Sequence, residues 1–547
     1  MSYFSELLAF FSKRIGVNSP QIASYCNLDR VTVYRFLKGK TLPKDKDTVS
    51  KMAEFLQLTA DERGTLAEAY ECSRLGSHVY WERRYISSFI RSFSGKLPAV
   101  PLIQFDTGHV EDLHGQTLVL SGRDEIIKRI QKEILRECEK EHCEISLRMS
   151  ACINIIMDLL LAAGKKNSAL KIKHLIPITI ASAFNFKNDE TAFHNGHYIP
   201  AVSYSSIIEP FNPGFFANSM YIPAEANTRI RAAKASSRVT SESVWIGEHE
   251  LLQNIFKVVR LCAEEFDYEP SYYYTRQEEL SQFPVYTNLL VTGESAILFT
   301  DDLKESLVFS DPDHIAAFRN KFKILVEDKP RLFFFYQNVE TLIENANKTI
   351  INRSRRLEET EYYYSSLPCI LPIITNSILE KHLCVDLITK EQDNREHLLE
   401  TVYQYVDTIR NRYSKDDFNE MNLFSESGLH AFMKTGRISD VPLELYSPLT
   451  EQERRQMLLA LADHPHMNYR VLKNELSAPE GMLGIEVMDN ALFISFFTPE
   501  KGMCFFYINE PGVLLAFRNF FKDYPREGLY SEKESREILR RIAQKKM

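Results

Sequence analysis

Only a few side-chain types do chemistry, and in this 547-residue chain they fall into sets of unequal promise. Nine cysteines are an odd number scattered along the sequence, with no pair of CxxC motifs, so neither a disulfide framework nor a structural zinc site is expected. Cys138 and Cys143 flank His142, but no second cluster stands at ligand spacing, and the pair reads as buried or surface thiols. His194 and His197 lie in HNGH and His464 and His466 in HPH. Imidazoles at that spacing can share a metal, yet both stretches are polar and read as exposed loops. The phosphate-cradling GxxxxGK[ST], the GxGxxG turn after a strand, the HExxH zinc helix and the GxSxG elbow are all absent. No catalytic residue, metal or cofactor is therefore assigned.

Cations form the one coherent set. The chain carries a net charge of −8, but residues 1–76 hold 11 Lys+Arg against 9 Asp+Glu. Between 30 and 51 stand Arg30, Arg35, Lys38, Lys40, Lys44, Lys46 and Lys51, opposed by Asp45 and Asp47 alone. A local basic stripe on an acidic protein is the electrostatic footprint of an appended module that meets a polyanion.

The elements that must position this stripe follow from hydrophobic spacing. Phe4, Leu7, Leu8, Phe11 and Ile15 recur at three- and four-residue steps and line one helix face. Asn18-Ser19-Pro20 starts another helix, with Ser19 as its cap and Pro20 in its first turn. Ile22 and Ala23 face inward on it, and Ala23 is small enough for a second helix to cross closely. Asn27 takes the turn, where its side chain tolerates a left-handed backbone. Leu28 plugs the core and Asp29 caps the next helix, which buries Val33, Phe36 and Leu37, projects Arg30, Val31, Tyr34 and Arg35, and ends at Gly39. A further helix, TVSKMAEFLQL, closes the core with Val49, Met52, Ala53 and Leu56.

Over residues 1–76 this arrangement resembles the phage-repressor (XRE, Cro-like) helix-turn-helix family; the departure is Asn27, where the family usually has Gly. The resemblance implies that the second helix of the motif enters the major groove. Carried over by position, Arg30, Val31 and Arg35 would read base edges with Thr32 and Tyr34 as neighbours, while Gln21, Lys38 and Lys40 would touch phosphate. Arginine to guanine is the commonest specific contact, so a guanine is expected in each half-site.

The remaining sequence reads as soluble and folded, with 44% hydrophobic and 26% charged residues. Its most apolar run, Ile153 to Ala163, is half the roughly 20 residues that a membrane span needs and includes Asp158. The opening residues lack a basic leader and a cleavage site, so a cytoplasmic protein is expected. Residues 77–120, with Pro98 and Pro101, read as a linker. A helix follows from Ser121, then a strand in EISLRMS, a helix around INIIMDLLLAAG and a strand in KIKHLIPITI, an α/β or α+β alternation.

Two distant stretches match. Residues 294–325 and 490–524 each run strand, turn, strand, acidic-Pro, helix, and their helices share Ala-Phe-Arg-Asn at 317–320 and 516–519, an offset of 199. Similar helices lie upstream of each, LLQNIFKVVRLCAEEF and HLLETVYQYVDTIRNRY. Two tandem related α/β modules are expected, 121–335 and 365–547, joined by a connecting helix at 336–364. Paired HxK motifs of the phospholipase D type would suit such half-repeats, but none sits at equivalent positions. The shared Phe-Arg-Asn reads as a strand-to-helix corner rather than a site.

The expectation is thus a bacterial transcriptional regulator: a four- to five-helix DNA-binding domain, double-stranded DNA as partner, and tandem modules that dimerise and sense an unidentified small molecule, peptide or protein. The alternative is an enzyme that processes nucleic acid or serves defence and uses the motif for targeting or autoregulation.

Overall fold

The structure, a computed structural model, describes residues 2–93, 115–150, 153–180, 257–264, 266–276, 286–336, 361–384, 392–413, 420–438, 446–488, 491–498, 502–508, 510–523 and 528–545, with a few single residues between them. The chain divides into two compact units, one running to Tyr85 and the other comprising the described residues from Ile86 onward.

The N-terminal unit is helical: α1 (Tyr3–Ile15), α2 (Ser19–Cys26), α3 (Arg30–Leu37), α4 (Lys46–Phe55), α5 (Ala60–Leu75) and the first half of α6 (Ser77–Ser92). Short helices need their exposed first-turn amides satisfied, and a polar side chain does this five times in succession, from Ser2, Asn18, Asp29, Asp45 and Thr59. Phe4, Leu8, Ile22, Val33, Phe36, Met52, Leu66 and Tyr70 meet in one core. Residues 77–92, assigned above to a linker, are helical because Ile86, Phe89, Ile90 and Phe93 repeat at helical spacing and are buried.

The second unit contains two mixed sheets of seven strands. The first is built from β1 (Thr117–Ser121), β2 (Glu144–Arg148), β3 (Lys171–Ile180), β4 (Asp267–Arg276), β5 (Asn288–Val291), β6 (Ala296–Phe299) and β7 (Glu305–Phe309). The second uses β8 (Phe333–Tyr336), β9 (Glu361–Ser365), β10 (Glu420–Ser425), β11 (Asn468–Leu472), β12 (Gly484–Val487), β13 (Leu492–Thr498) and β14 (Gly502–Ile508). The orders are 1-7-6-5-2-3-4 and 8-14-13-12-9-10-11, the same topology shifted by seven strands. In each, the second, third and fourth strands pair in parallel and the other pairings are antiparallel.

Helices flank the strands of both halves. In the first half, α7 (Arg123–Cys138) and α8 (Asn154–Lys166) lie on either side of β2 in sequence, and α9 (Pro312–Glu327) follows β7. In the second, α10 (Asn376–His382) and α11 (Gln392–Tyr413) precede β10, α12 (Glu426–Thr435) and α13 (Glu451–Asp463) precede β11, and α14 (Pro511–Asp523) and α15 (Glu532–Gln544) follow β14. The matched helices at 317–320 and 516–519 are therefore equivalent, α9 and α14. The two upstream helices are not: residues 251–266 lie between the third and fourth strands of their sheet, whereas α11 lies between the second and third of its own. Their common pattern reflects burial at similar spacing: Leu252, Ile255, Val258 and Val259 are buried, as are Val402, Val406 and Ile409 of α11. Most of the connecting helix expected at 336–364 lies outside the described residues; 361–364 belong to β9.

The repeated arginine ties helix to sheet in both halves. Arg319 Nη2 donates to the Thr292 carbonyl at 2.9 Å and Arg518 Nη2 to the Met488 carbonyl at 2.7 Å, each at the end of the strand that enters the central hairpin. The acidic residue before proline caps each helix: Asp311 accepts from the amides of Asp313 and His314, and Glu510 from that of Val513. The helices differ in cover. Most of α9 is solvated, whereas α14 is almost wholly buried, with Phe517 against Phe89 and Phe496 of the same sheet against Phe93 near the end of α6.

The sheets are joined by one extended segment. Residues 330–332 bond the edge of β4, through Tyr272 N to Pro330 O and Leu332 N to Pro270 O. The next four residues are β8, paired with β14 through Phe333–Ile508, Phe334–Tyr507 and Phe335–Phe506. The module boundary expected at residue 335 thus falls inside a strand.

Candidate nucleic-acid interface

The basic stripe is carried by α3, the segment after it and α4, and α2 with its turn leads into α3. The first cap differs from expectation: Asn18, not Ser19, caps α2. The Asn18 side chain accepts from Gln21 N, and Gln21 Oε1 accepts from Asn18 N at 2.8 Å, a reciprocal box. The Gln21 carbonyl oxygen is thereby occupied, and its exposed amide nitrogen is the group left to donate. Asn27 closes α2 with φ 54° and ψ 48°, the left-handed turn that the sequence suggested. Asp29 caps α3, accepting from Val31 N at 2.6 Å. Gly39, with φ 65°, follows the last turn.

At 100° per residue, Arg30, Val31, Tyr34, Arg35 and Lys38 fall within an arc of about 140° on α3. All five are exposed, Val31 and Tyr34 by 54% and 50%, while Val33 and Phe36 are buried on the opposite side. Thr32 sits on the flank and is half-buried. Lys38 Nζ lies 5.8 Å from the Tyr34 ring centroid, over its face, and Lys40 is exposed just beyond the helix. Elsewhere in this unit arginines are engaged: Arg14 pairs with Glu62, Arg74 with Glu71 and Arg84 with Glu68. Arg30, Arg35, Lys38 and Lys40 pair with no described carboxylate. Two exposed apolar side chains set among cations match a surface that meets base edges and methyl groups below a phosphate backbone.

The other candidates separate. His194 and His197 lie outside the described residues. His464 and His466 have ring centroids 6.2 Å apart, and Arg536 donates to the His464 carbonyl, which makes their loop a helix-end corner. Cys138 and Cys143 are buried, the Cys138 thiol pushed up to about 11 by desolvation, and His142 is exposed. One cluster escaped the sequence reading. Carboxylate oxygens of Glu361, Glu420 and Glu486, on the neighbouring strands β9, β10 and β12, lie within 4.8 Å of one another. Glu361 and Glu420 are buried, and the Tyr413 hydroxyl donates to Glu420. Roughly sixty residues separate successive members, so only strand register brings them together.

Among the described residues no helix is long and apolar enough to cross a membrane. No family model and no curated protein matches this chain. Among solved structures, a phosphatidylserine synthase from Haemophilus influenzae Rd KW20 is 8% identical over 78% of this chain and 91% of that one, with a TM-score of 0.20. That likeness is too loose to carry an argument about function.

Proposed function

We propose that this chain is a sequence-specific DNA-binding transcriptional regulator of the bacterial cytoplasm, in which residues 1–76 form a helix-turn-helix domain of the phage-repressor type. The observation that carries the reading is the exposed arc on α3, where Arg30, Val31, Tyr34 and Arg35 stand on a helix whose opposite face is held by core. One such helix reads few base pairs, so the protein acts as a homodimer on paired half-sites. The two-sheet region is the sensing part, and its effector acts through different affinities for DNA-competent and incompetent arrangements.

Selection of genomic fragments by the full-length protein, with an Arg30→Ala/Arg35→Ala variant beside it, tests the reading. A short inverted repeat, lost with the variant, is the expected result, each arginine contributing about 1–3 kcal/mol of discrimination. Lys38→Ala and Lys40→Ala should weaken binding to every sequence alike and reduce the salt slope by about one per contact. Equal losses on cognate and random DNA for the arginine variant would overturn their assignment as base readers.

The enzyme reading draws on the Glu361–Glu420–Glu486 cluster. Metal-dependent turnover of nucleic acid by the whole chain, lost in Glu420→Gln, would favour it.

A further inference from the structure

The inner face of α1 is committed to the core, with Phe4, Leu8 and Phe11 buried. Its outer face carries Phe10, 60% exposed, and Tyr3, 48% exposed. Seven residues separate these rings, two turns or about 10 Å along one stripe. Glu6 lies one turn before Phe10 and Lys13 one turn after it, on the same side of the stripe, and both are exposed. Neither pairs with a described residue, whereas neighbouring Arg14 is held by Glu62. The helix ends at Gly16, where nothing lies within 4 Å of the place a Cβ would take.

We infer that this face of α1 is the surface through which two copies of the chain meet. The charge pattern selects the occupant. When two α1 helices cross antiparallel about a two-fold axis beside Phe10, the rings of the two copies touch at the centre. Glu6 of each copy then faces Lys13 of the other, and Tyr3 reaches the bare Gly16 end. A surface that carries its own complement in reversed order is what an isologous interface requires. Thirteen residues span about 20 Å, so the contact is small beside a stable interface of about 1,600 Å² and the dimer is dissociable. The inference rests on the DNA-binding reading for its purpose, since paired half-sites need paired domains, but not for its geometry.

Sedimentation equilibrium of the full-length protein without DNA, over a wide concentration range, tests it. The wild type should show a monomer–dimer equilibrium. Phe10→Glu and Glu6→Lys should each raise the dissociation constant roughly tenfold or more, and Glu6→Lys/Lys13→Glu should return it to within about threefold of wild type. A wild type that stays monomeric, single variants that change nothing, or a charge swap that fails to restore association would each overturn the proposal. A parallel titration on the selected DNA keeps the two readings apart. Association that follows these predictions in a protein that selects no sequence sinks the regulator and leaves the interface standing. Sequence-specific binding by a chain whose association ignores all three variants does the reverse.

Discussion

His174 shows what a single buried residue discloses about conditions. Its ring lies in the first sheet with Nε2 2.8 Å from the Met149 carbonyl and Nδ1 2.7 Å from the Tyr268 hydroxyl. A neutral imidazole satisfies both, donating from Nε2 and accepting at Nδ1. Burial lowers its pKa to about 4 from an ordinary 6.5. The unfolded chain therefore binds the proton more readily, so the stability this site holds is complete above pH 6.5 and is lost as pH falls towards 4. The loss is roughly 3 kcal/mol. Denaturant titrations of wild type and His174→Asn should diverge at neutral pH and converge as the pH drops through that window; a constant difference would mean that the ring is not neutral in the fold.

Helix α3 and its cap, turn and exposed arc were legible because every feature is local: a capping aspartate, an asparagine in the turn and a run of two-sided periodicity. Asn18 and Ser19 are both good caps for α2, and only the reciprocal bond from Gln21 decides for Asn18 over Ser19. Helix α7 carries charges that no local pattern marks as buried: Arg129, Glu133 and Glu137 are inside, Arg129 Nε paired with Glu133 at 3.0 Å and Glu137 accepting from Gly293 N. A charge can go inward when a partner awaits it: Glu133 stands one turn from Arg129 on the same helix, but the amide that meets Glu137 comes from Gly293, far along the sequence. The Glu361–Glu420–Glu486 cluster was invisible for the same reason.

The repeated arginine supplies a test at the scale of the element. Arg518 is buried, whereas Arg319 stays substantially exposed while making the equivalent bond. Truncating a buried charged donor strands its carbonyl partner, a cost of about 2–3 kcal/mol, while water can replace an exposed one. Arg518→Ala should therefore lower the denaturation midpoint of the second unit markedly, and Arg319→Ala much less. Equal effects would show that burial does not govern the clamp.

At the scale of the molecule, the N-terminal unit has a core of its own, and Tyr70 completes it by donating to the Pro43 carbonyl. A fragment of residues 1–76 should accordingly give a helical circular dichroism spectrum and a cooperative, if low, thermal transition, as befits a domain of that size. A featureless melt would show that this core depends on the rest of the chain. The two-sheet plan was legible only as a repeat. Matching helices announced a duplication, but seven-strand order comes from pairings between residues far apart, and the short strands β5, β6 and β8 carry too little pattern to fix it.

Residues 330–336 have a consequence for how this gene can vary. Loops between repeats ordinarily absorb insertions, because their length is set by nothing but reach. Here three residues take their register from β4 and the next four take theirs from β14, with no slack between. Adding or deleting one residue would turn Phe333, Phe334 and Phe335 to the wrong faces of the second sheet or pull Arg331 from Ser271 in the first. The joint between the halves is counted residue by residue, so this short stretch should hold its length in descendants of the sequence.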